Sequence, residues 1–198
     1  MKKQMMKVGL VAALVMGAMS AANAASVADL TFTGAVTKAT CDVNVVGGNT
    51  QTISLGKYAA AEFVAVGTPL AKSSKQVTLS FGSCIGEQIA AGDSLVLSVS
   101  QQSGLVPALS NAGLWGDNAI GVGVQLTAES QDPDLIPVDT LTPDENEMQI
   151  FTADNETPAA DAAPQPVVLT AALASYLPSA SITSGTIKAP LEFSVSYD

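Results

Sequence analysis

An all-β fold, a sandwich or barrel of short strands, is what this sequence predicts, and three observations predict it. Apolar and polar residues alternate in several short runs. Clusters of Gly, Asn, Asp, Ser and Pro separate those runs, as at Gly47-Gly48-Asn49, Gly92-Asp93 and Gly116-Asp117-Asn118. The run from Ile187 to Asp198 alternates without a break: Ile187, Ala189, Leu191, Phe193, Val195 and Tyr197 are apolar. Such alternation marks strands with one buried face, and strands punctuated by turn residues argue a sandwich or barrel.

The chain opens with what reads as an export signal over residues 1–24. Lys2, Lys3 and Lys7 form a basic start, an apolar run extends from Val8 to about Met19, and Ala22-Asn23-Ala24 supplies a cleavage site. That run is too short to span a bilayer. The exported chain is expected to begin at Ala25. All 8 basic residues are lysines, three of which leave with the signal, while the 18 acidic residues remain. An excess of negative charge this large repels a phosphate backbone, so no nucleic-acid partner is expected.

Strands are expected near Leu30–Lys38, Gln76–Phe81, Leu95–Ser100 and Ile120–Leu126, and again near Met148–Thr152, Val167–Thr170 and Thr186–Tyr197. Pro190 cannot donate to a ladder, which assigns it to an edge, a bulge or a non-donating position. The apolar run Ala171–Leu177 reads as one or two helical turns, limited by Pro178. Gly121-x-Gly123 continues into Val124, Gln125 and Leu126, the pattern of a strand with close backbone approach or a bulge rather than of a dinucleotide loop. Trp115, between Gly113 and Gly116, reads as a buried or half-buried turn aromatic. Between Glu129 and Asp161 stand ten carboxylates, no basic residue and four prolines. This composition predicts a long solvated loop with one strand near Met148–Phe151.

Cys41 and Cys84 are the only cysteines. In an exported chain they are expected to form a disulfide, and closing such a loop stabilises by roughly 4 kcal/mol in the chain-entropy account. With no histidine in the sequence, Ser-His-Asp and Cys-His catalysis are excluded, and the carboxylates cluster where rigid support is lacking. Asp132-Pro-Asp134 and Asp144-Glu-Asn-Glu147 offer oxygen ligands of the kind calcium takes, but the spacing and glycine of an EF-hand are missing. Neither an enzyme nor a cofactor or metal is expected.

Several of these stretches together resemble the subunits of chaperone–usher fimbriae, the type 1-like pilins. Gly185 stands fourteen residues from the end and Tyr197 is penultimate. Leu30-Thr-Phe-Thr-Gly-Ala-Val-Thr-Lys-Ala-Thr-Cys41-Asp-Val43 resembles the opening strand of such a subunit. Phe63 through Cys84, with Val77, Leu79 and Phe81 alternating, is similar to the strand that receives the bridge, and Ala119–Leu126 to a central strand. The resemblance implies an incomplete immunoglobulin-like β-sandwich that lacks its final strand and is completed by a donor strand from a chaperone or a neighbouring subunit. It divides the chain into a signal (1–24), an N-terminal donor extension (25–34) and a pilin domain (35–198).

Under that resemblance Val27, Ala28, Leu30 and Phe32 are the donor residues. Gly185, Ile187, Leu191, Phe193, Val195 and Tyr197 belong to the C-terminal strand that pairs with chaperone or donor. The implied partners are a periplasmic pilus chaperone, an outer-membrane usher, further copies of the chain and other fimbrial subunits, with a host receptor as a further candidate. The implied location is the bacterial cell surface, reached through the periplasm. Two other readings stay open on sequence alone. One is an adhesive shaft subunit that binds a host receptor through its own loops, residues 129–161 included. The other is a self-contained secreted β-sandwich that binds a ligand and does not polymerise.

Overall fold

Alternation in the sequence becomes strand after strand in the structure, a computed structural model that describes residues 39–48, 51–102, 104–132, 135 and 138–197. In chain order the first strands are β1 (Ala39–Val45), β2 (Lys75–Gly86), β3 (Gln88–Ile89), β4 (Ser94–Gln101) and β5 (Val122–Ser130). They are followed by β6 (Val138–Leu141), β7 (Glu147–Thr152), β8 (Thr157–Pro158), β9 (Val167–Ser175) and β10 (Leu191–Tyr197). Among the described residues one short α-helix, α1 (Pro107–Ser110), links β4 to β5, and four 3-10 turns lie in other connections.

Two antiparallel sheets carry the fold. One has five strands in the order β1-β2-β9-β5-β6, the other three in the order β10-β4-β7, and β3 pairs with β8 in a small separate ladder. Inward residues of both sheets meet in one core: Leu79, Leu126, Val167 and Leu169 from the larger, Leu95, Leu97, Val99, Met148, Ile150 and Val195 from the smaller. This is an immunoglobulin-like sandwich with no closed barrel. The strands expected near Gln76–Phe81, Leu95–Ser100, Ile120–Leu126 and Met148–Thr152 correspond to β2, β4, β5 and β7. The one expected near Leu30–Lys38 lies outside the described residues, as do residues 1–24.

Two expectations are corrected. Ala171–Leu177 is not helical, because β9 runs through Ser175 at the centre of the larger sheet. Ala172, Leu173, Ala174 and Ser175 are all buried, and a strand covered on both faces shows a continuous apolar run instead of alternation. Its outer face is covered by a second cluster in which Leu109 and Leu114 pack on Ala174. Gly123, opposite Ala174 in the ladder, lies under the same lid. A Cβ there would stand 2.3 Å from Leu109 Cδ2 and 2.7 Å from Leu114 Cβ.

The acidic stretch from Glu129 to Asp161 is likewise more ordered than its composition predicts, since it contains the end of β5, β6, β7 and β8. Leu141, Met148, Ile150, Ala153 and Ala159 are buried there, with Glu147, Asp154 and Glu156 exposed between them. Glu129 and Glu147 occupy solvent positions of alternating strands, and Asp144, Glu145, Asp154, Glu156 and Asp161 are exposed in the connections. Trp115 is buried as predicted and donates its indole N–H to the Leu141 carbonyl at 2.8 Å.

Candidate functional site

Among the described residues each sheet leaves edges unpaired, and two of those edges, β1 and β10, lie side by side. β10 pairs with β4 from Leu191↔Gln101 to Tyr197↔Leu95, and among the described residues no strand pairs with its other side. The phase of the ladder is set by the bond from the Gln102 amide to the Pro190 carbonyl, 2.9 Å. Residues alternate in antiparallel pairing. Glu192, Ser194 and Ser196 therefore turn their backbone groups toward β4. Leu191, Phe193, Val195 and Tyr197 turn theirs to the open side. On that side the Thr40 hydroxyl, from β1, donates to the Val195 carbonyl at 2.7 Å.

Side chains tell the same story. In central β4 the inward residues Leu95, Leu97 and Val99 are fully buried. On the facing edges, Val43 and Val45 of β1 and Leu191, Phe193 and Tyr197 of β10 are only half-buried, although all pack against the main core. Val195, where Thr40 closes over the edge, is buried. The result is an apolar strip along the β1–β10 seam, backed by backbone donors and acceptors that face outward. Chemically, this is a surface that can accept a strand: main-chain groups to pair and alternate apolar positions to set register.

The bottom of the seam is fixed in two ways. Cys41 and Cys84 are bridged, joining β1 to β2. The Tyr197 phenol donates to the Asp93 carboxylate in the turn before β4. That hydrogen bond, followed by burial, pushes the Tyr197 phenol above its ordinary pKa.

The predicted C-terminal residues divide into two sets. Leu191, Phe193, Val195 and Tyr197 come together on β10. Gly185 and Ile187 do not, because the strand starts four residues later than the alternation suggests. Ahead of it the Thr186 carbonyl accepts from Asn118 Nδ2 and the Lys188 amide donates to Asp117 Oδ1, so loop side chains take the groups a ladder would use. Pro190 sits immediately before the strand as an acceptor only. Ile187 packs both against the main core and against the Leu109–Leu114 cluster. Val27, Ala28, Leu30 and Phe32 lie outside the described residues. Thr40 and Asp93 were missed by the sequence reading, since a hydroxyl and a turn carboxylate carry no local pattern that points to a partner more than a hundred residues away. Among the described residues no three carboxylates gather closely enough to hold a metal ion.

A family model described as fimbrial protein matches residues 30–198. No curated protein matches the chain.

Proposed function

Since this chain belongs to the fimbrial protein family and is a subunit of a surface pilus, we propose that it polymerises by donor-strand exchange along the β1–β10 seam. In this reading a periplasmic chaperone first lends a strand to the seam. At an outer-membrane usher, residues 25–34 of another subunit replace that strand, with Val27, Ala28, Leu30 and Phe32 supplying the apolar contacts. The observation that supports it most directly is the open side of β10, whose outward-facing backbone lies beside the half-buried Leu191 and Phe193. The added strand contributes main-chain hydrogen bonds and covers that strip. Repeated from subunit to subunit without closure, the contact makes a filament, which is the form through which the protein contributes to adhesion.

Appending residues 25–33 after Asp198 through a short flexible linker tests this. The self-complemented chain is expected to melt about 10 °C or more above the unmodified one, because at this size each kcal/mol moves Tm by about 2–4 °C and a docked strand carries several. It should also no longer polymerise. An unchanged Tm with an already stable monomer would overturn the reading.

A further inference from the structure

Lysines are confined to one end of the described sandwich. Lys57, Lys72 and Lys75 lie in or beside the loop that leads into β2, and Lys188 lies just ahead of β10. Tyr58 donates to the Lys72 carbonyl at 2.9 Å, which holds the Lys57 stretch against the turn at 71–73. The same loop exposes Val64 (95%) and Val66 (55%) and frames a hollow of about 140 Å³ lined by Phe63, Val64, Pro69 and Leu70. One acid of the loop, Glu62, pairs with Lys72.

The far end of β2 is the reverse. Ile85 is 66% exposed, and four exposed carboxylates, Glu87, Asp154, Glu156 and Asp161, lie on turns at the same end of the sandwich. Glu87 and Glu156 flank the β3–β8 ladder. Asp154 follows Ala153, which is bonded in both directions to Gly92 and Asp93. Among the described residues, no lysine lies at that end. β2 is 12 residues long, so the lysine-rich and the acidic surfaces are separated by about 36 Å at a strand's rise per residue. At that distance one copy cannot bring them together.

We propose that the 57–75 loop is a docking surface for the acidic end of a second copy of this chain, so that successive subunits stack end to end through Lys57, Lys72 and Lys75 against Glu87, Asp154, Glu156 and Asp161. The inference rests on the pilus-subunit reading and adds to it a contact distinct from the seam. Complementary charge selects the partner, and Val64, Val66 and Ile85 supply the apolar area between the charges. Because the two surfaces differ and sit at opposite ends, the contact is heterologous and does not close on itself. Charge at such a rim acts chiefly on the rate of encounter and its salt dependence.

The test follows assembly of the full exported chain. Assembly is expected to slow by about ten-fold or more at high salt, and similarly in the triple variant K57E/K72E/K75E or in E87K/E156K. Mixing the two charge-reversed proteins should restore the rate. As a check that needs no variant, fibres grown from equal parts isotopically light and heavy subunits are treated with a zero-length carbodiimide. Light–heavy cross-links joining Lys57, Lys72 or Lys75 to the four carboxylates are expected. Fibres that form at a rate insensitive to salt and charge reversal, with no such cross-links between subunits, overturn the end-to-end contact while leaving the pilus reading intact. Failure of the unmodified chain to form fibres at any salt takes both down.

Discussion

At Tyr197 a hydrogen bond from the phenol to Asp93 ties the end of β10 to the turn that starts β4. The phenol's pKa is raised in the folded state, so its contribution to stability is complete below about 10, the ordinary phenol value. It is lost as the pH climbs through the raised folded value. In an alkaline absorbance titration, Tyr197→Phe should remove a late-ionising phenol, and Asp93→Asn should bring that phenol back toward its ordinary range. Trp115 and Gly123 report on packing instead. Trp115→Phe leaves the Leu141 carbonyl without its buried donor and should cost about 1–3 kcal/mol in urea unfolding. Gly123→Ala drives a methyl into Leu109 and Leu114 and should cost a similar ~1–3 kcal/mol. The sequence marks Trp115 as a buried or half-buried turn aromatic and Gly123 as a site of close backbone approach or a bulge in a strand. It does not show which atoms they meet, because those partners belong to other elements.

Among elements, legibility follows how a strand is covered. β2 and β7 keep one face outward, so their period of two is written in the sequence, and β10 is legible over Leu191–Tyr197 for the same reason; β4 keeps the period through Leu95, Leu97 and Val99 although Val96 is buried too. β9 buries both faces and loses the period, which is why a central strand reads as a helical turn. β6 and β8 are hidden by the opposite effect: carboxylates and prolines dominate the composition, while the apolar positions that anchor them are few and widely spaced. The upper limit of β10 was misplaced because alternation continues through Ile187 and Ala189, whereas the ladder needs backbone groups that Asp117 and Asn118 have already taken. Phe193, half-buried on the open side, is the position where these points meet function. Phe193→Glu should change the melting of the unmodified chain by only about 1 kcal/mol, and should remove most of the Tm gain of the self-complemented chain.

For the whole molecule, the disulfide was legible from two cysteines and a start that reads as an export signal, and it closes a loop of 43 residues. Its reduction should destabilise the fold by about 4 kcal/mol in the chain-entropy account, read as a shift in the denaturant midpoint. The strand order β1-β2-β9-β5-β6 was not legible, because it joins segments far apart in sequence and local alternation carries no information about neighbours. The position of the bridge has a mechanical consequence. Among the described residues, a subunit pulled through the chain that precedes β1 takes up the tension from Ala39 onward, and Cys41 is only the third residue of that strand. Beyond it the covalent link hands the load to Cys84 and so to the longest strand of the larger sheet. Force can strip two residues from the edge, but the rest of β1 is shielded from peeling, and the load enters the sheet through β2, which pairs with β1 over Leu79–Gly86 and with β9 over Lys75–Leu79. Oxidised subunits should then rupture at higher force than reduced ones when stretched singly from this end.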